Sequence, residues 1–117
     1  MEELLLDEKT IRIVKKEAAI LVSDLLKEDL AEVILYGSCA RGDYSVDSDM
    51  DIALLTKCDR MSAKKYTDEL AHIATKLAMK YFAVVNFVCV PYDEYVEKKH
   101  WYAYFRNIDK EGEVLYG

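Results

Sequence analysis

The chain has 117 residues, 52% of them hydrophobic and 32% charged, which is a globular composition and excludes a disordered chain. This length can bury one modest core, so we expect a single domain spanning residues 1–117. With 16 basic and 22 acidic residues the net charge is −6, which argues against direct nucleic-acid binding and suits a partner with a basic face.

The sequence also indicates a cellular compartment. The acidic N-terminus is followed by only three leucines, and it lacks the basic start and the apolar run of roughly 7–15 residues of a secretory signal. No stretch approaches the ~20 apolar residues of a membrane span. The three cysteines, Cys39, Cys58 and Cys89, form no CxxC pair. We therefore expect a cytoplasmic chain with reduced thiols and no membrane contact.

The first predicted elements are a long helix and a short strand. Apolar residues recur three and four positions apart over 11–25, which predicts a helix over about 8–27 that Asp7 caps. A β-rich run over 33–36 then predicts a strand, and Gly37 stops it.

The middle of the chain predicts a loop, a strand, a helix and another strand. Residues 38–48 are small and polar and predict a loop with a helical turn around 39–41, and alternation over 49–56 predicts a strand. Ser62 is a plausible cap for a second long helix. Residues 83–90 are nearly continuously apolar, which predicts a strand buried on both faces.

The last part of the chain predicts two short helices and a final strand. Pro91 ends the apolar strand, and residues 92–99 and 102–110 have helical patterns. A short apolar piece over 114–116 closes the chain. Strands that alternate with helices predict an α/β (α+β) fold, in which helices cover a small sheet.

Two segments, 37–42 and 48–51, carry the residues that suggest chemistry. The first begins where a strand ends, and Gly37 there allows the backbone to approach another group closely. Backbone N–H groups after it and the Ser38 hydroxyl can face an anion, and Arg41 can add a fixed positive charge. We expect these residues to bind the phosphates of a nucleotide.

Asp49 and Asp51 are two positions apart on a predicted strand, so both side chains point to one face. Two adjacent carboxylates repel each other unless a cation lies beside them, and such hard oxygen ligands favour Mg²⁺ or Mn²⁺. The bland alternative is a solvated strand edge. A phosphate loop close to a metal pair is what nucleotidyl transfer needs, because metals bridge phosphate oxygens, activate the attacking hydroxyl and stabilise the leaving pyrophosphate.

The pattern of Gly37-Ser38, ten residues, and Asp49-Met50-Asp51 resembles the signature of the DNA polymerase beta nucleotidyltransferase superfamily, and specifically its minimal nucleotidyltransferase branch. The resemblance extends over about 31–117. It implies a mixed sheet flanked by helices, with Gly37 and Ser38 on the nucleotide triphosphate and Asp49 and Asp51 on divalent metal.

One position departs from the family pattern. The superfamily usually supplies a third carboxylate from a later strand, and the matching residue here is Asn86. Its amide oxygen can ligate a metal, but it carries no charge and cannot deprotonate a nucleophile. As an alternative, Asn86 is a hydrogen-bonded buried amide without a role in chemistry.

The resemblance implies transfer of AMP from ATP to a hydroxyl. Minimal members often act as antitoxins paired with HEPN-domain toxins, and some adenylylate a tyrosine of the toxin. The first alternative is a non-catalytic antitoxin that neutralises its partner by binding it. The second is a small-molecule nucleotidyltransferase of the aminoglycoside-modifying kind that dimerisation completes. These alternatives imply a homo- or hetero-oligomer. The aromatic residues over 92–105 predict either a core-covering helix pair or a partner surface.

Overall fold

The computed structural model describes residues 6–117, in which helices and strands alternate. The helices are α1 (Glu8–Leu26), α2 (Ser38–Arg41), α3 (Arg60–Ala63), α4 (Thr67–Tyr81), α5 (Tyr92–Lys98) and α6 (Ala103–Glu111). The strands are β1 (Leu30–Tyr36), β2 (Met50–Thr56), β3 (Val85–Pro91) and β4 (Glu113–Tyr116). Short 3₁₀ turns cover Lys27–Asp29 and Lys64–Tyr66.

The four strands form one mixed sheet in the order β3-β2-β1-β4. β1 pairs antiparallel with both β2 and β4, whereas β2 and β3 run parallel. The parallel pair needs a crossover connection, which α3 and α4 provide. As a result, the C-terminal end of β1 and the N-terminal ends of β2 and β3 lie at the same end of the sheet.

Each face of the sheet has its own apolar core. On one face, side chains from β1, β2 and β3 pack against α1 and α4. Val14 and Val22 of α1 and Leu77 of α4 are fully buried there. The other face packs against α5 and α6 through Tyr95 and Phe105. Helices on both faces of a small mixed sheet confirm the predicted fold class.

Two predictions about the elements are wrong. Asp59, and not Ser62, caps the second helical segment: the Asp59 side chain accepts a 2.8 Å hydrogen bond from the Ser62 N–H, and α3 begins at Arg60. β3 is not buried on both faces either. It is the outermost strand, and Asn86 within it is exposed.

Two observations on the described residues relate to the expected compartment. No helix within residues 6–117 has the length and apolar character needed to cross a bilayer. Cys39, Cys58 and Cys89 are all free thiols. The expectation that the chain lacks a secretory signal rests on the N-terminus. Residues 1–5 lie outside the described part of the chain.

Candidate functional site

Three neighbouring strands bring one row of polar side chains together. In the β1–β2 ladder Tyr36 lies opposite Asp51, and in the β2–β3 ladder Asp51 lies opposite Asn86. The next row on the same face is apolar, with Ile34, Ala53 and Val88 packed toward α5 and α6. The polar row therefore lies at the open end of that face.

Gly37 follows β1 directly and is in close contact with this row. Its φ of +77° is a conformation that residues with a Cβ rarely adopt. A Cβ added at this position would lie 2.8 Å from the Asp51 Oδ2. The glycine therefore brings the loop backbone against the carboxylate, as the prediction of close approach requires.

The loop after Gly37 forms the single turn α2, which is tied to β2. The N–H groups of Ala40 and Arg41 donate to the Gly37 carbonyl oxygen, so Ser38 is the first residue of the turn. The thiol of Cys39 donates to the carbonyl oxygen of Asp49 at 3.5 Å. Burial raises the pKa of Cys39, which keeps its thiol protonated as a donor.

Asn86 joins the two aspartates. Its Nδ2 donates to Asp49 Oδ2 at 3.1 Å and to Asp51 Oδ1 at 3.3 Å. The side chain is hydrogen-bonded but exposed, so the alternative of a buried amide is wrong. One N–H₂ group thus offsets part of the repulsion between two carboxylates.

The donor set fits a hard divalent cation. Two carboxylates converge on the N–H₂ group of Asn86, where positive charge is favoured. No cluster of three or more Asp, Glu, His or Cys side chains suited to a metal occurs within residues 6–117. One or two carboxylates with substrate phosphates is the usual protein contribution to a Mg²⁺ site, so the remaining ligands would come from the nucleotide.

Arg41 is held by acidic residues in this structure. Its Nε donates to Asp43 Oδ2 at 3.1 Å, and its Nη1 donates to Glu111 Oε1 at 3.0 Å. These hydrogen bonds raise the pKa of the Arg41 guanidinium, with the bond to Asp43 first. The binding of phosphates by Arg41 stays a prediction.

Sequence reasoning missed two residues beside the row, Tyr36 and Tyr104. A 2.7 Å hydrogen bond joins their hydroxyls. Burial raises the pKa of Tyr36, and the bond to Tyr104 and the charge of Asp51 raise it further, so its hydroxyl stays protonated. The position of Tyr36 directly before Gly37 could have indicated it, whereas nothing in the sequence pairs it with Tyr104.

The aromatic residues over 92–105 fall into a buried group and an exposed group. Tyr95 and Phe105 are buried in the core under α5 and α6. Trp101, Tyr102 and Tyr104 are exposed, and Trp101 is 64% exposed. One subset therefore covers the core, and the other forms an open aromatic surface beside the polar row.

A family model described as a nucleotidyltransferase domain matches residues 15–111. The protein named "Putative protein adenylyltransferase MJ0604" from Methanocaldococcus jannaschii is 38% identical over 87 residues. That alignment covers 74% of this chain and 79% of the relative.

Solved structures of toxin–antitoxin complexes share the fold. One is a toxin–antitoxin with AMP-PNP, with a TM-score of 0.55 and 21% identity, over 87% of this chain and 73% of that one. Another is a tri-AMPylated Shewanella oneidensis HEPN toxin in complex with an MNT antitoxin, with a TM-score of 0.53 and 20% identity, over 92% and 72% of the chains. At these identities the likeness is one of fold.

Proposed function

The chain belongs to the nucleotidyltransferase domain family, and on that basis we propose that it transfers AMP from ATP to a hydroxyl of a HEPN-type toxin and acts as its antitoxin. The proposal is carried by the contact of Gly37 with Asp51, beside Asp49, at the open end of the sheet. The similarity to a protein named as a protein adenylyltransferase supports a protein acceptor.

Each site residue has a proposed task. The triphosphate lies along Gly37 and Ser38, where the absence of a side chain on Gly37 leaves room beside Asp51. Asp49 and Asp51 would hold Mg²⁺ or Mn²⁺ beside the triphosphate. The cation, when bound, neutralises charge on the triphosphate and favours departure of pyrophosphate.

The transfer itself exchanges one phosphorus–oxygen bond for another. The acceptor oxygen bonds to the α-phosphorus as the bond from that phosphorus to the bridging oxygen breaks, and pyrophosphate leaves. The acceptor proton goes to solvent or to a carboxylate, because the amide of Asn86 cannot take it. We therefore propose slow transfer, since loss of a general base typically costs ~10²–10⁴-fold in rate.

The partner and the compartment follow from the same proposal. The similarity to a protein named as a protein adenylyltransferase supports an acceptor hydroxyl on another chain, which would form a hetero-oligomer with this one. Three free thiols agree with a cytoplasmic site of action. A net charge of −6 suits a partner with a basic face.

Label transfer tests the proposal. The chain is incubated with its HEPN-type partner, ATP labelled at the α-phosphate and Mn²⁺, and label is followed on the partner. We expect slow labelling, and no labelling with Asp49→Asn combined with Asp51→Asn. Asn86→Asp restores a third carboxylate, and it should raise the rate if the acceptor is in place.

The same experiment separates the enzyme from a binding module. Asn86 favours this second candidate, because a neutral amide that donates to both aspartates stands where the superfamily usually supplies a third carboxylate. A stable complex and full toxin neutralisation, with no label from either the parent or Asn86→Asp, would leave the binding module as the function.

A further inference from the structure

The outer edge of β3 carries backbone groups without partners. β3 pairs on one side only, with β2, and the Val84 carbonyl oxygen accepts from the Met50 N–H on that side. Successive residues of a strand direct their backbone groups to opposite edges, so Val85, Phe87 and Cys89 direct theirs outward. Within residues 6–117 nothing hydrogen-bonds to these outward groups.

A groove of about 530 Å³ follows this edge. β3 forms one wall from Val85 to Pro91, and α3 and the first half of α4 form the other. Leu70 in the α4 wall is buried, whereas Ala71 is exposed and leaves the groove open. The seven residues of β3 at about 3.3 Å each give the groove a length of roughly 23 Å.

The groove leads into the candidate site. Asn86 lines it and donates to Asp49 and Asp51 on the other side. A chain paired with β3 would lie about 4.8 Å from it and alternate its side chains between the two sheet faces. A residue opposite Asn86 would therefore direct its side chain to the face that carries the carboxylates.

We propose that an extended segment of the acceptor protein adds to the sheet as a fifth strand beside β3 and so delivers its hydroxyl to the site. This inference rests on the proposed function. In this recognition mode, backbone hydrogen bonds give affinity and pockets for alternate side chains give specificity.

The groove also defines the chemistry of the segment. Side chains on the α4 face contact Phe87, Cys89 and Leu70, so alternate positions of the segment are apolar. Lys64 lines the groove and has no acidic partner among the residues described, 6–117. An acidic residue of the segment would be stabilised there.

Amide hydrogen exchange on the chain bound to its HEPN-type partner tests the docking. We expect the outward amides of Phe87 and Cys89 to exchange at least tenfold more slowly in the complex. The amides of Asn86 and Val88 face β2 and should change little. Exchange of the outward amides at their free-chain rate, with or without a complex, overturns the inference.

A pair of α4 variants gives a second readout. Ala71→Trp fills the groove without touching the aspartates, and it should raise the KM for the partner at least tenfold while Mg-ATP affinity stays unchanged. Met79→Trp is the control, since Met79 is exposed on the same helix outside the groove. Unchanged KM for the partner in Ala71→Trp contradicts the docking.

The two proposals fail separately. Protected outward amides without label on the partner would overturn the transfer activity and retain the docking. Label on the partner with unprotected amides would overturn the docking alone. Absence of both label and protection would overturn both.

Discussion

Gly37 couples the phosphate loop to the carboxylates, and a comparison with Gly42 tests this coupling. Both glycines have positive φ, +77° and +91°, so an alanine at either position is strained, at a cost on the order of 1–3 kcal/mol of stability. Only at Gly37 does a new Cβ meet another group, the Asp51 carboxylate, since nothing lies within 4 Å at Gly42.

We therefore predict that Gly37→Ala loses more stability than Gly42→Ala in urea unfolding, because its Cβ also meets the Asp51 carboxylate, and that only Gly37→Ala loses Mg-ATP affinity by calorimetry. Equal ATP affinity in the two variants would show that the contact with Asp51 has no part in nucleotide binding.

The aspartate pair gives a second prediction at this scale. Asp49 is exposed and Asp51 half-buried, and neither belongs to an apolar core. Asp49→Asn combined with Asp51→Asn should abolish Mg-ATP binding in calorimetry and leave the circular dichroism spectrum unchanged. The reason is that the neutral amides of the double variant cannot supply the negative charge that would hold the cation beside the triphosphate.

Asp47→Asn is the matched control, because Asp47 is an exposed acid of the same loop. It should retain Mg-ATP affinity. If the double variant also retains it, the metal belongs elsewhere.

The spacing of Gly37, Asp49 and Asp51 could predict a shared site because strand geometry acts locally. Asp51 lies in β2 and Asp49 directly precedes it, so alternation of an extended chain predicts that both share a face, and the glycine marks the end of β1. Tyr104 and Glu111 were missed because they reach the site through α6, whose placement depends on packing against the sheet. Separations of 68 and 70 residues leave no local signal.

At the scale of elements, the start of α3 gives a prediction about capping. Ser62 follows Asp59 by three positions, and both are residues that cap helices well. The structure selects Asp59, whose carboxylate accepts from the Ser62 N–H and has a pKa lowered by that bond. Asp59→Ala should lower the urea midpoint, whereas Ser62→Ala should leave it almost unchanged.

The pH dependence of this contribution has a defined sign. Because the folded-state pKa of Asp59 is depressed, its stabilisation is complete above the unfolded pKa and is lost as pH falls through the folded value. The difference between the parent and Asp59→Ala should therefore disappear in acid. A difference that persists at the lowest pH would point to a steric cause.

β3 shows that the sequence can predict a strand without predicting which elements pack beside it. A nearly continuous apolar run is typical of a central parallel strand. Here β3 is parallel to β2 yet outermost, and its apolar side chains instead line a groove against α4. Strand order depends on which elements cover each edge, and periodicity carries no information about that.

At the scale of the whole molecule, the net charge of −6 predicts how the partner is encountered. If the partner presents a basic face, its association rate should fall at least tenfold between 50 and 500 mM NaCl, while dissociation changes little. Stopped-flow mixing of the two proteins at several salt concentrations measures both rates. A salt-independent association rate would exclude electrostatic steering.

The central position of β1 has a consequence for the order of folding. β1 pairs with β2, which follows it closely, and with β4, whose Tyr116 lies opposite Val33. The second ladder closes a loop of about 80 residues, and its entropic cost must be met before its contacts form. During synthesis β1 therefore keeps one unpaired edge until residues 113–116 have been made. Any contact that needs the complete sheet can form only after that point.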